Sequence, residues 1–129
     1  MTENEIATIV VDAAYTIHKN FGPGLHETVY EVCLLHELRK RGLHAERQVA
    51  IPLKYDSITF EEGFCADIVV EDKVVLELKA VEKTHPVHKR TLLAYLRLMD
   101  KRLGLFINFD VELIKDGISR VVNGLPDED

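Results

Sequence analysis

The sequence predicts an α/β domain, a sheet flanked by helices, on three observations. The hydrophobic period is helical at first, shortens to two across residues 44 to 79, and returns to helical over residues 86 to 100. A continuous apolar run from Leu103 to Phe109 has strand length and suits a strand covered on both faces. At 129 residues, 47% hydrophobic and 29% charged, the chain has the size and composition of one domain with one core.

Ile6, Ile9, Val10, Ala13, Ala14 and Ile17 recur at helical spacing, and Thr2 with Glu5 offers a capping box for a first helix. Phe21-Gly22-Pro23-Gly24 ends it. A second helix is predicted from His26 to Lys40, with Leu25, Val29, Val32, Cys33 and Leu38 on its apolar side and Gly42 as its left-handed cap. Val49, Ile51, Leu53 and Tyr55 then alternate, followed by Ile58 to Phe60, Phe64 to Val70 and Val74 to Lys79, which read as three antiparallel strands. Pro86 to Asp100 is the third helix and Leu103 to Phe109 the buried strand. Val111 to Lys115 and Ile118 to Val122 flank Asp116-Gly117, a hairpin signal. The expected order is α-α-β-β-β-α-β-β-β over residues 1–124, with a flexible tail over 125–129.

A net charge of −6 argues against a nonspecific nucleic-acid coat, because phosphate affinity comes mainly from Lys and Arg. The charge is uneven, however. From Lys79 to Arg102 there are seven Lys and Arg against two acids, a basic sector in an acidic protein, though a solvated helix face would also produce it. No apolar run is long enough to span a bilayer and the polar opening is unlike a secretory signal, so a cytoplasmic protein with no membrane partner is expected. Cys33 and Cys65 belong to no paired motif and read as free, buried thiols. Gly22-Pro23-Gly24 lacks the ending of a phosphate loop, and Pro86 between His85 and His88, with no further ligand, argues against zinc. No Ser or Cys has a recognisable base for acyl transfer.

The informative stretch is the hairpin around Glu71-Asp72-Lys73. If these residues form the loop, Val70 pairs with Val74 and Asp67 lies opposite Glu77, with Cβ atoms about 4.5 to 5.5 Å apart. Lys79 projects from the same face two residues on. Two opposed carboxylates repel by roughly 1 kcal/mol at 4 Å in water and by several times that when partly buried. A divalent cation, Mg²⁺ or Mn²⁺, would offset this, using both carboxylates and the Leu78 carbonyl as hard oxygen ligands. Lys79 would then hold or deprotonate an attacking water. The plainer reading makes Asp67 and Lys79 a surface ion pair and leaves Glu77 solvated. The apolar context, Ile68-Val69-Val70 and Val74-Val75-Leu76, favours central strands, where a charge needs a reason.

Gly24-Leu-His-Glu27-Thr-Val-Tyr30 has the form G-x-x-E-x-x-Y. With Ala66-Asp67, Glu77-Leu-Lys79-Ala80 and Gly104-Leu-Phe-Ile-Asn108-Phe109, the chain resembles the GxxExxY proteins, small members of the PD-(D/E)XK nuclease superfamily, from about residue 5 to Gly124. The resemblance implies a single-domain restriction-endonuclease-like fold with a mixed central sheet flanked by helices. It implies a metal held by Asp67 and Glu77, water positioned by Lys79, and Glu27 as a helical acid completing the metal shell. Tyr30 shares the face of Glu27 and is expected near substrate. Tyr95 matches a tyrosine that accompanies the site and is expected to contact phosphate. Where related sequences commonly carry glutamine four residues earlier, this chain has Thr91, with less reach.

The expected function is metal-dependent hydrolysis of nucleic-acid phosphodiesters, DNA ahead of RNA. The third helix, through His88, Lys89 and Arg90, would supply a basic wall for the backbone. The alternative is an inactive nuclease fold that binds nucleic acid or protein. The apolar Val111 to Val122 hairpin makes a homodimer a candidate assembly.

Overall fold

The computed structural model of the chain describes residues 1–60 and 63–126. Helix α1 spans Glu3–Phe21 and opens on the capping box, with the Glu5 amide donating to Thr2 Oγ1 at 3.1 Å and the Thr2 amide to Glu5 Oε1 at 2.8 Å. Its buried stripe is Ile6, Val10, Ala13, Ala14 and Ile17, as the spacing requires. Helix α2 spans Glu27–Lys40 and buries a face that overlaps the expected one only in part: Tyr30, Glu31, Leu34, Leu35 and Leu38 are inside and Cys33 packs against the core, while Leu25, Val29 and Val32 are exposed. Apolar residues occur nearly all round this helix, so periodicity alone does not choose the inner stripe. Tyr30, stacked on Phe109 with ring centroids 4.6 Å apart, is part of what holds the observed one inward.

The main sheet has the order β1-β4-β5-β6-β7. Its strands are β1 (Ala45–Ala50), β4 (Cys65–Val70), β5 (Val74–Lys79), β6 (Leu103–Asn108) and β7 (Ile118–Val122). All neighbours are antiparallel except β5 and β6, which are parallel and joined through helix α3 (Pro86–Met99). The fold is therefore a mixed sheet flanked by helices, consistent with the restriction-endonuclease-like class. Strands β2 (Leu53–Tyr55) and β3 (Ile58–Phe60) do not extend this sheet. They form a separate two-stranded ribbon, because Pro52 lacks an amide donor and breaks the run after Ile51.

The expected second hairpin also differs. Val111 to Lys115 is not a strand; a 3₁₀ turn covers Ile114–Gly117 and leads directly into β7, which pairs with β6. Gly117 is there for close approach, since a Cβ atom on it would overlap the Asn108 carbonyl oxygen. Leu125, placed in the tail by sequence, packs against the core, and residues 127–129 lie outside those described.

The sheet is covered on both faces. Helices α1 and α2 pack over Ile68, Val70, Val74, Leu76, Leu78, Leu105 and Ile107. Leu92 and Leu96 of α3 pack over Ala66, Val69, Val75 and Phe106 on the other face. A Cβ on Gly104 would meet Leu92 at 2.9 Å, so the glycine lets α3 sit close to β6. Both cysteines are free, but Cys65 is exposed at the start of β4, where the strand leaves the core. Among the described residues, no helix is long and apolar enough to cross a membrane.

Candidate functional site

Strands β4 and β5 bring the first two carboxylates together. Their pairing runs from Val70↔Val74 to Ile68↔Leu76, a register that aims Asp67 at Glu77. Asp67 Oδ2 accepts the Leu78 amide at 2.8 Å, one residue beyond that partner. By alternation Glu77 and Lys79 follow Val75 onto the face under α3, whereas Asp67 lies within reach of the acids of α2. Asp67 and Glu77 are only 9% and 8% exposed. Burial pushes the Asp67 carboxyl from 3.8 to about 6; the Leu78 amide opposes the rise, and the Glu31 and Glu27 charges add to it. Burial pushes Glu77 from 4.5 to about 8, the Asp67 charge adds, and Lys79 opposes. Lys79 is half-buried and makes no ion pair among the described residues.

Glu77 Oε1 is the one buried side-chain polar atom without a hydrogen-bond partner among the described residues. Such an atom carries a desolvation cost of a few kcal/mol unless a proton, water or cation meets it. The charges of Asp67 and Glu27 reach Glu77, and carboxylate oxygens are the donors a hard divalent cation prefers. Leu78, expected to lend its carbonyl, lies between Glu77 and Lys79 in sequence and is fully buried, and its amide is committed to Asp67.

The G-x-x-E-x-x-Y segment builds the third wall. Gly24 adopts φ +107, and the Tyr30 hydroxyl donates to the Gly22 carbonyl at 2.7 Å while accepting the Leu25 amide at 3.1 Å. This fastens the loop before α2 and makes Glu27 the first helical residue, where the helix dipole favours an acid. Tyr30 itself is fully buried. The substrate contact expected of it is therefore replaced by a framework role.

Glu31, one turn after Glu27, was not singled out by the sequence reading. Oxygens of Glu27, Glu31 and Asp67 lie within 4.8 Å of one another. Glu31 is buried and held by Arg47, whose Nε and Nη2 each lie 2.7 Å from Oε2. Gln48 Nε2 donates to Glu31 Oε1 and Oε2 at 3.2 and 3.1 Å and reaches Asp67 Oδ1 at 3.5 Å. The i, i+4 relation of Glu27 and Glu31 was the available sequence signal; nothing local marked Arg47 or Gln48.

Helix α3 closes the remaining side. His85 caps it, its Nδ1 accepting the Val87 amide at 3.1 Å, and Pro86 opens the first turn. His88 stacks on Phe106, and burial with the charges of Lys79 and His85 lowers its pKa, so it is neutral at pH 7. Thr91 and Tyr95 follow at helical spacing and are half-buried. Burial and then the Glu77 and Asp67 charges raise the Tyr95 hydroxyl pKa, which ties that side chain to the carboxylates. Lys89 and Arg90 are exposed and appear in no ion pair among the described residues. Lys101 and Arg102, the far end of the basic sector, are taken up by Asp72 and Glu3 at 3.1 and 3.3 Å. Only part of the basic sector is thus free beside the site.

Asn108 steadies the exit of β5. Its side chain donates to the Val81 carbonyl at 2.9 Å and accepts the Val81 and Asp110 amides at 3.1 and 3.2 Å, next to its register partner Lys79.

Comparison with curated proteins and with solved structures returned no match. A family model described as PD-(D/E)XK nuclease superfamily matches residues 4–121, which include every carboxylate of the cluster, Lys79 and Tyr95. With that match over almost the whole chain, and Glu27 and Glu31 of α2 gathered with Asp67 of β4, the chain belongs to the PD-(D/E)XK nuclease superfamily.

Proposed function

We propose that this chain hydrolyses phosphodiester bonds in nucleic acid, DNA ahead of RNA, with Mg²⁺ or Mn²⁺ held by Asp67, Glu77, Glu27 and the Leu78 carbonyl. The observation that carries the reading is Glu77 Oε1, buried and without a partner among the described residues, with a second buried carboxylate, Asp67, acting on it. A bound divalent cation would acidify water and stabilise charge on the phosphate. Lys79, half-buried and without an ion pair among the described residues, holds the attacking water by donating to its oxygen; that oxygen bonds to phosphorus as the bond to the leaving oxygen breaks, and the water's proton passes through solvent to the leaving oxygen. Tyr95, Thr91 and His88 line the wall on which the phosphate rests, and Lys89 and Arg90 attract the neighbouring backbone. The finer assignment to the GxxExxY group rests on Gly24, Glu27 and Tyr30; the bonds of the Tyr30 hydroxyl to Gly22 and Leu25 make that spacing a fastening for α2.

The test is fragment release from labelled single- and double-stranded DNA and RNA with Mg²⁺ or Mn²⁺, comparing wild type with Lys79→Ala. Cleavage by wild type alone is expected. Cleavage by both proteins would remove Lys79 from the chemistry.

A second reading, a nuclease fold retained for binding nucleic acid or protein, draws on the net charge of −6 and on Thr91, which is too short to span where a glutamine would. No cleavage of any substrate, with binding retained, would establish it. A homodimer could form on β7, which is an edge strand with Val122 exposed; a strictly monomeric mass by light scattering would refute that assembly.

A further inference from the structure

Five non-glycine residues among those described have positive φ, and four of them, Asp56, Glu71, Asp72 and Asp100, sit in turns or at a helix end. The fifth is Gln48, at φ 53 in the middle of β1. Left-handed backbone is uncommon for such a side chain within a strand. The pairing of β1 with β4 is interrupted at the same point. It runs Arg47↔Ile68 and then Val49↔Ala66, omitting the position where Gln48 would face Asp67.

The side chain explains what the irregularity accomplishes. Gln48 Nε2 lies 3.1 and 3.2 Å from the two Glu31 oxygens and 3.5 Å from Asp67 Oδ1. All three neighbours are carboxylate oxygens, which only accept, so the amide nitrogen and not its oxygen must face them. A neutral donor, polarised positive, therefore stands against Asp67, a carboxylate of the proposed metal set, and against its neighbour Glu31. Arg47, on the adjacent residue, holds Glu31 from the other side and keeps the arrangement in place.

We infer that Gln48 is a positioning residue that competes with the cation: in the metal-free protein its amide bridges Glu31 and Asp67, limits their repulsion, and must release Asp67 before that carboxylate binds a divalent ion. The inference rests on the metal-site reading above. Its consequence is competition. Metal binding breaks the amide contacts, so the affinity of the wild type is lower than the carboxylates alone would provide.

The probe is Mn²⁺ itself, with binding read from loss of the free-ion electron paramagnetic resonance signal, on wild type, Gln48→Gly and Gln48→Glu. Glycine accepts the left-handed backbone and removes the amide without forcing a new strand geometry. Glutamate keeps the shape and replaces the donor with an acceptor. Both variants are expected to bind Mn²⁺ more tightly, Gln48→Gly by about 10-fold, the scale of one hydrogen bond to a charged group. General loosening of the structure would weaken binding, so a gain separates competition from a merely structural role. Equal or weaker binding by Gln48→Gly, with the wild type binding Mn²⁺, overturns the inference alone and leaves the metal site standing. No Mn²⁺ binding by any of the three overturns both.

Discussion

Asp67 bonds to the amide of Leu78, at 2.8 Å, and not to the residue its strand register aims it at, Glu77. This bond holds Asp67 Oδ2 in the sheet and leaves Oδ1 toward Gln48 and the acids of α2. Glu77 keeps an oxygen with no partner among the described residues. One carboxylate is fixed by the backbone, and the other awaits a proton or a cation.

The pH dependence of stability follows from that pair. Unfolded, the two carboxyls lose protons near 3.8 and 4.5; folded, near about 6 and about 8. Between those limits the folded protein holds protons that the unfolded chain has lost. Their contribution to stability is therefore complete below pH about 4 and is lost as pH rises to about 8. Thermal denaturation in chelator across that range should show the decline, and Glu77→Gln, which cannot ionise, should flatten it. A Glu77→Gln profile parallel to the wild type would contradict the burial argument.

Tyr30→Phe removes the hydroxyl that joins Gly22 and Leu25 but keeps the ring on Phe109. A loss of about 1–2 kcal/mol is expected in urea denaturation, from two backbone groups left without a partner. Divalent-ion affinity should fall as well, because the same bonds set where α2 and Glu27 begin. Unchanged stability would mean that the loop does not depend on the tyrosine.

Gly117→Ala tests the entry to β7. The added methyl would overlap the Asn108 carbonyl oxygen and press on Val111 at 3.1 Å, and backbone rather than a flexible side chain must move. The expected loss is about 3 kcal/mol, at the upper end for overpacking. A change under about 1 kcal/mol would show that the turn relaxes freely.

These cases separate what was legible in the sequence from what was not. Contacts between near neighbours could be read directly: the Thr2–Glu5 box, the Val70↔Val74 hairpin and the meeting of Asp67 with Glu77 all follow from spacing. The buried face of α2 could not, since its apolar residues surround the helix and a distant ring, Phe109, packs on the inner one. Asp116-Gly117 looked like a hairpin turn because glycine serves close approach as readily as positive φ, and only the neighbouring Asn108 carbonyl distinguishes the two. Arg47 and Gln48 join the site through a break in strand pairing, which leaves no periodic trace.

The claim on which the account depends is that the buried Glu77 carboxyl releases its proton to solvent when it binds a divalent cation. Calorimetric titration with Mg²⁺ at pH 7, in two buffers with different ionisation enthalpies, counts the protons released on binding. With Glu77 at about 8, the wild type should release close to one proton per ion bound, and Glu77→Gln should bind far more weakly and release almost none. Tight binding with no proton release, or equal release by the variant, would contradict the assignment of Glu77 to the metal.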